Sequence, residues 1–226
     1  MKYLFVFLLL GLTSIVHSQT AEQPYCKDIL GFHGSSNYNF PSVPIDYSGE
    51  VFYCQEDCKV EYWLNYKDGK KDGLSRMWYK NGQLWYERNY KDGKEDGLRR
   101  GWYDSGKLRL KMNFKDGKGV GTYREWWESN GKLKIEYKYS ESGDGTLDGW
   151  YYEYYEDADV KIMGKYKGGH MPHTSKKLGI WRYYYDTDFN KEQKSKKEVY
   201  TETGDGVLIS EQCWDEDGNK IECPEE

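Results

Sequence analysis

Three consecutive stretches of this chain are copies of one unit: YKDGKKDGLSRMWYKNGQL at 66–84, YKDGKEDGLRRGWYDSGKL at 90–108 and FKDGKGVGTYREWWESNGKL at 114–133. Their first residues are all aromatic and follow one another at an interval of 24 residues. A copied unit of this length indicates a repeat architecture, in which each unit buries its apolar side chains only against its neighbours. The fold of this block therefore determines the fold of most of the chain.

Two kinds of turn punctuate each copy. An Asp-Gly pair follows the first aromatic residue, and an Asn-Gly or Ser-Gly pair precedes the final leucine. Such pairs are strong β-hairpin signals, because glycine and asparagine tolerate positive φ angles. The segments 60–66, 108–114 and 133–139 alternate apolar and polar residues, which predicts half-buried strands. The first residue of each segment and every second residue after it are predicted to share one face.

A single hairpin is marginally stable in water, so the copies are expected to pair edge to edge. The composition agrees with a thin core, because aromatic residues make up 17% of the chain, with 23 Tyr and 9 Trp. We therefore predict an all-β fold, an elongated single-layer antiparallel sheet of tandem β-hairpins. Its stability is expected to be roughly a sum of terms within units and between neighbouring units.

The repeated motif is an aromatic residue, glycines three and seven positions later, an aromatic pair and Asn-Gly-Lys-Leu. This motif resembles the MORN-repeat variant family, which includes the YwqK-like antitoxin group. The resemblance spans about residues 47–220 and is clearest over 60–139. It implies MORN-like hairpin repeats and roles in scaffolding, membrane association or toxin neutralisation, without one shared chemistry.

The first 18 residues have the pattern of an export signal. Lys2 precedes an apolar run at 3–16, and Val16 and Ser18 stand at the −3 and −1 positions of a cleavage site before Gln19. The run is too short for a comfortable membrane span, although an uncleaved anchor is the alternative. We predict an exported protein, periplasmic, cell-surface or secreted, with no integral membrane span after cleavage.

Four segments follow from these patterns. They are a signal peptide at 1–18, an irregular N-terminal cap at 19–46, MORN-like hairpin repeats at 47–207, and a C-terminal capping hairpin and tail at 208–226. Caps are expected because an exposed sheet edge invites aggregation. Cleavage removes one Lys, so the formal net charge changes from −5 to −6 (−5 − 1), which argues against a general nucleic-acid or anionic-membrane surface.

Five cysteines in an exported chain favour disulfides. We predict one disulfide between Cys213 and Cys223, which flank the terminal hairpin, and one between Cys54 and Cys58. Cys26 is left without an assigned partner, and it could instead pair with Cys54 or Cys58. A zinc site formed by the other four cysteines is possible by residue type, but disulfides are favoured. No metal site and no cofactor are predicted.

A column of arginines and aromatic residues recurs across the units. Arginine stands three positions after the second glycine in every copy except the fourth, which has Tyr152, and an aromatic residue follows two positions later. Residues i and i+2 of a strand share a face, so the two columns are expected to run side by side. The candidate binding residues are Arg76, Trp78, Arg100, Trp102, Arg124, Trp126, Arg182 and Tyr184. They could hold a ligand, or the arginines could stack on tryptophans and only stabilise the sheet.

No catalytic motif such as a G-x-S-x-G elbow or a phosphate loop is present, and an enzyme is not predicted. The sequence favours a non-enzymatic module for protein–protein interaction or scaffolding, using one sheet face and the long turns at 140–148, 170–178 and 186–197. Two alternatives remain open at this point. One is binding of a glycan or cell surface through the Trp/Arg ladder, and the other is an antitoxin or immunity role.

Overall fold

A computed structural model describes residues 33–34, 45–54, 59–185, 194–203 and 205–224. These residues form one sheet of 17 strands and a short 3₁₀ turn at Pro172–Thr174. The strands are β1 (His33–Gly34), β2 (Gly49–Cys54), β3 (Val60–Lys67), β4 (Lys70–Lys71), β5 (Gly73–Trp78), β6 (Leu84–Lys91), β7 (Lys94–Glu95), β8 (Gly97–Trp102), β9 (Leu108–Lys115), β10 (Lys118–Trp126), β11 (Leu133–Tyr139), β12 (Leu147–Tyr154), β13 (Val160–Lys167), β14 (Lys176–Tyr184), β15 (Lys194–Tyr200), β16 (Leu208–Trp214) and β17 (Lys220–Ile221).

The sheet is an open antiparallel meander, in which each long strand pairs with the next long strand along the chain, and the two-residue strands β4 and β7 pair with β3 and β6. Each hairpin also pairs with the following hairpin, as β3 does with β5 and β6 with β8. The exception to the antiparallel order is β1, which runs parallel to β2. The predicted fold class is therefore confirmed: the chain is all-β, and its hairpins join edge to edge into one long sheet.

The two kinds of turn lie on opposite rims of the sheet. In the first kind, Asp68 and Gly69 both have positive φ angles, of 47° and 69°, and Asp92 and Asp116 repeat this conformation. Positive φ at both central residues is the type I′ geometry that matches the right-handed twist of a hairpin. In the second kind, Gly82 alone among its turn residues has positive φ and donates its N–H to the Tyr79 carbonyl at 3.0 Å.

A β-bulge interrupts each hairpin next to the second kind of turn. Trp78 lies opposite Leu84 although Met77 lies opposite Tyr86, so one residue of β6 has no partner on β5. Because of the bulge, the face predicted for the first residue of each alternating segment is wrong, and this residue lies on the opposite face from the rest of its segment. Val60 packs with residues of one face, Phe52, Trp78 and Leu84, whereas Tyr62 and Leu64 pack on the other face. Strict alternation fails there because the extra residue shifts the register.

Asparagine side chains stabilise a second irregularity, where the chain enters β5 and β8. The Asn65 side-chain amide donates to the Leu74 carbonyl at 2.5 Å, and the Asn89 amide donates to the Leu98 carbonyl at 2.8 Å. In return, the Asn65 carbonyl accepts the Asp72 N–H at 2.9 Å. These bonds close the ladder where the strand pairing is broken, so the backbone groups at the bulge are satisfied.

Tyrosine and tryptophan side chains join each hairpin to the next along one rim. The second aromatic residue of each pair donates to the carbonyl of the first aromatic residue in the following hairpin. The distances are 2.9 Å for Tyr79 to Trp102, 2.7 Å for Tyr103 to Trp126, 3.3 Å for Trp127 to Tyr154, 2.8 Å for Tyr155 to Tyr184 and 2.7 Å for Tyr185 to Trp214. The neighbour terms expected of a repeat array thus include a hydrogen bond at each of these junctions.

The two faces of the sheet differ in composition. We call the face that carries Phe52, Trp63 and Arg76 the arginine face, and the one that carries Tyr53, Tyr62 and Tyr86 the tyrosine face. The larger core cluster lies on the tyrosine face, where the rings of Tyr123, Tyr137, Tyr151 and Trp181 follow one another at centroid distances of 4.6, 6.3 and 6.0 Å. This row crosses β13 over Gly164, where a side chain would collide with the Trp181 ring.

The C-terminal hairpin β16–β17 is closed by a disulfide between Cys213 and Cys223, which confirms that prediction. Asp215 occupies the position of the joining tyrosine and accepts hydrogen bonds from the backbone of Asp217 and Asn219 in its own turn. The predicted pairing of Cys54 with Cys58 and the pairing of Cys26 lie outside the described residues. Within the described part of the chain, no helix is long and apolar enough to cross a membrane.

Candidate binding surface

All four predicted arginines lie in one row that crosses the arginine face at right angles to the strands. Residues directly opposite one another on neighbouring strands point to the same side of the sheet. The members of this central row are Phe52, Trp63, Arg76, Glu87, Arg100, Lys111, Arg124, Glu136, Tyr152, Met163, Arg182, Lys197 and Gln212. The structure therefore brings together on one surface arginines that are up to 106 positions apart (182 − 76).

The first part of the central row is neutralised by its own ion pairs. The Glu87 carboxylate bridges Arg76 and Arg100, with N–O distances of 3.1 and 2.9 Å. The Arg76 guanidinium also stacks over the Trp63 ring, with its carbon 5.2 Å from the ring centroid. Here the arginines have the stabilising role that the sequence left open as an alternative.

The second part of the row has more free charge. Arg124 pairs with Glu136 at 2.5 Å, and 46% of its side chain remains exposed. Lys111, Arg182 and Lys197 form no ion pair with any residue that the structure describes. The whole central row holds six cations and two carboxylates, although the protein as a whole has a net charge of −5. The arginine face is thus locally basic on an acidic protein.

The predicted aromatic column lies beside the central row, next to the bulges. Trp78 is only 3% exposed and packs against Leu84 and Val60, so its ring face is covered by the protein itself. Trp102 and Trp126 are half-buried, and Tyr184 directs its hydroxyl to the Met163 sulfur at 3.8 Å. The structure gives Trp78 a packing role, while the other three retain partly accessible surface.

A second aromatic row was missed from the sequence. Trp150, Tyr152 and Tyr154 alternate along β12 on the arginine face, and their ring centroids are 5.9 and 6.2 Å apart. Trp150 is 41% exposed and Lys165 lies over its ring, while Ile180 on β14 is 39% exposed. The period-two spacing of Trp150, Tyr152 and Tyr154 is the sequence signal for this row.

The tyrosine face has a charged cluster that is satisfied from within. The buried Glu198 carboxylate accepts hydrogen bonds from Lys177 at 2.8 Å, Tyr183 at 2.7 Å and Tyr200 at 3.0 Å, and pairs with Lys196 at 3.0 Å. Burial alone raises the pKa of Glu198, but these hydrogen bonds and the Lys177 charge outweigh burial and lower the pKa to about 2. The Glu198 carboxylate therefore stays ionised, and the hydrogen bonds within the cluster hold its members together.

Two of the predicted long turns contact each other on one rim. A ring nitrogen of His170 lies 3.0 Å from the Gly145 carbonyl, and the Leu147 N–H donates to the Gly169 carbonyl at 2.9 Å. The third turn falls largely at 186–193, outside the described residues. Among the residues that the structure describes, no group of three or more His, Cys, Asp or Glu side chains is arranged to hold a metal ion.

Comparison with known families identifies the repeat. The family model for the MORN repeat variant matches residues 71–92 and 95–116, which contain the β5–β6 and β8–β9 hairpins. These two segments are MORN repeats of the variant type. MORN repeats of this kind form binding or scaffolding modules, and the repeat fold is typically non-catalytic. The comparison with curated proteins gives no match.

The structure continues the MORN hairpin well past the two matched segments. The β12–β13 and β14–β15 hairpins pair in the same order, with the same junction bonds from Tyr155 and Tyr185. The aromatic row on β12 and Arg182 on β14 therefore lie in hairpins of the same arrangement, outside the two matched segments.

Proposed function

We propose that this protein is a non-enzymatic interaction module that binds a protein partner on the arginine face between β10 and β15. The observation that carries the proposal is the difference between the two faces. The tyrosine face is filled by its own aromatic core and by carboxylates held in internal hydrogen bonds. The arginine face combines exposed apolar side chains with cations that form no ion pair with a described residue, which is a composition typical of interface centres.

The charge of this surface favours an acidic partner. Arg124, Arg182 and Lys197 attract an acidic surface over a Debye length of about 8 Å at physiological salt. Trp150 and Ile180 then supply apolar area that is removed from water on binding. The partner's electrostatic attraction and its apolar contact thus come from neighbouring residues of one surface.

Glycan binding is the second candidate, because sugar rings stack on exposed aromatic side chains. The row Trp150, Tyr152 and Tyr154 favours it, whereas the burial of Trp78 removes one of the rings on which the predicted ladder depended. An antitoxin or immunity role rests on the family resemblance alone and would be recognised by the identity of the partner.

We also propose export to the cell envelope or beyond, supported by the signal-like first 18 residues and compatible with the Cys213–Cys223 disulfide.

Site-specific photo-crosslinking tests the protein-binding proposal. A benzophenone amino acid replaces Trp150 or Ile180 on the arginine face, and Ile221, which is 41% exposed at the C-terminal hairpin, serves as the matched control. We expect one crosslinked protein from positions 150 and 180 in the native cell, lost in an Arg182→Glu background and absent from position 221. Equal capture from all three positions would contradict a specific surface. Tryptophan fluorescence that changes with envelope polysaccharides, with no protein crosslinked, would favour the glycan candidate.

A further inference from the structure

The central row of the arginine face has a patterned chemistry between β9 and β15. Two cations, Lys111 and Arg124, stand at one end, and Arg182 and Lys197 stand at the other. Between them lie Glu136, which is already paired with Arg124, and then the apolar surfaces of Tyr152 and Met163. Across the strands, the row is therefore basic at one end, apolar in the middle and basic at the other end.

We propose that this row binds an extended acidic segment of the partner, with carboxylates at its two ends and an apolar side chain between them. The proposal rests on the proposed protein-binding function and specifies the partner's chemistry. Each end of the segment would pair with one cation pair, and the apolar middle would lie over Tyr152 and Met163. The occupant runs along the row and thus crosses the strands.

The spacing of the row sets the length of the segment. Arg124 on β10 and Arg182 on β14 are separated by four steps between strands, which at ~4.8 Å each amounts to about 19 Å. An extended peptide rises about 3.3 Å per residue, so about six residues span that distance. Acidic residues about six positions apart, with apolar residues between them, are therefore the recognition pattern.

The neighbouring side chains strengthen the case for an apolar middle. Tyr152 lies in the aromatic row with Trp150 and Tyr154, so an apolar side chain placed over it also meets these rings. Lys165 lies above the Trp150 ring at 5.1 Å and adds a further cation at the border of the patch. A uniformly acidic polymer would leave this aromatic centre uncovered, whereas an acidic–apolar–acidic segment covers both kinds of surface.

Two peptides of identical composition test the pattern. EEGFLGEE has acidic ends and an apolar middle, and GFEEEELG has the acidic residues together in the middle. Binding is measured by isothermal titration and by the indole N–H signal of Trp150 in NMR spectra of the full chain. We expect EEGFLGEE to bind at least tenfold more tightly and to shift the Trp150 signal.

Variants of the row give the second arm of the test. Arg182→Glu and Tyr152→Ala are each expected to weaken binding of EEGFLGEE about tenfold. Lys176→Glu is the matched control, because it makes the same charge change at an exposed position of the same strand. An equal loss with Lys176→Glu would show that only overall charge matters and would overturn the proposal. NMR spectra of the variants check that the sheet remains folded.

The outcomes separate this inference from the proposed function. If crosslinking from position 150 captures a partner but the two peptides bind equally, the protein-binding function stands and the acidic–apolar–acidic pattern is wrong. If heparin or anionic vesicles bind more tightly than EEGFLGEE, the occupant is a different polyanion and the inference is overturned. A dimer that Arg182→Glu converts to a monomer would make a second copy of the chain the occupant, which would also overturn it.

Discussion

At the scale of single residues, the sheet depends on a few side chains whose surroundings are fully specified. Glu198 is buried in a sheet one layer thick and has four donors around it, from Lys177, Lys196, Tyr183 and Tyr200. Lys177 also lies within about 5 Å of the rings of Trp181, Tyr183 and Tyr200, at 5.2, 5.4 and 5.3 Å. A charge buried with this many partners is stabilising only while all of them remain.

The first prediction concerns Glu198 and pH. Because the folded-state pKa is lowered from 4.5 to about 2, the carboxylate stabilises the fold fully above about pH 4.5, and this contribution is lost as the pH falls towards 2. Glu198→Gln should lower the free energy of unfolding at pH 7 by roughly 3 kcal/mol. The difference between wild type and variant, measured by urea unfolding, should shrink between pH 4.5 and 2. A difference that stays constant there would contradict the prediction, and the exposed Glu202→Gln is the control.

The second prediction concerns Gly164. A methyl group at this position would lie 2.1 Å from the Trp181 ring, so one of the two must move. Gly164→Ala should destabilise the protein by about 2–3 kcal/mol through overpacking. In a Trp181→Leu background the added methyl should cost less, because the smaller side chain leaves room. Thermal or urea unfolding of the four proteins in this cycle measures the coupling, and equal costs in both backgrounds would argue against the ring contact.

At the scale of elements, the hairpin is the unit and the junction bond is the link between units. The junction donors are tyrosine hydroxyls at four of the five junctions and the Trp127 ring N–H at the fifth. Each acceptor is the backbone carbonyl of the last residue of a strand, directly before the turn. The junction therefore satisfies a backbone group and aligns neighbouring turns at the same time.

The third prediction removes one junction bond. Tyr103→Phe deletes the hydroxyl that donates to the Trp126 carbonyl and leaves the ring in place. We expect a loss of about 1 kcal/mol in the free energy of unfolding, the usual net value of one hydrogen bond. Tyr90→Phe is the control, because the Tyr90 hydroxyl makes no hydrogen bond to a described residue. Equal effects of the two substitutions would mean that the junction bond contributes nothing specific.

At the scale of the whole molecule, the described strands of the open meander contact mainly their neighbours in the sheet, so stability is expected to be a local property. Each hairpin contacts mainly its two neighbours, and the array ends where Asp215 replaces the joining tyrosine and closes on its own turn. The disulfide acts at this same end, between residues 10 positions apart. A change that destabilises one end of the sheet is therefore expected to lower the stability of the hairpins near that end and to leave distant hairpins unaffected.

The fourth prediction tests this locality. Replacing Cys213 and Cys223 by serine removes a cross-link that closes a short loop, for which about 2–3 kcal/mol is the usual contribution. Hydrogen exchange should show lost amide protection in β15 to β17 and unchanged protection in β6 to β9. A uniform loss of protection across the sheet would instead show that the array unfolds as one cooperative unit.

The turns, the hairpins and their order followed from the sequence, because these depend on local chemistry. Asp68-Gly69 adopts the positive φ angles that its residue types favour, and the 24-residue copies pair in register because identical units present identical edges. The arginine column was visible for the same reason, since a strict repeat places equivalent residues in one row. The disulfide of Cys213 with Cys223 also followed from two cysteines that flank one hairpin.

The tertiary structure alone decided which side chains are free. Two bulges, one between β2 and β3 and one between β5 and β6, placed Val60 and Leu84 on the arginine face, where both pack against Trp78; no local pattern marks the extra residues. Glu87 pairs with both Arg76 and Arg100 and so balances the charge of one half of the row, whereas Arg182 forms no ion pair with a described residue. Sequence determined the strands and the turns through local conformational preference, but exposure and ion pairing depend on neighbours brought together across strands, which only the folded sheet specifies.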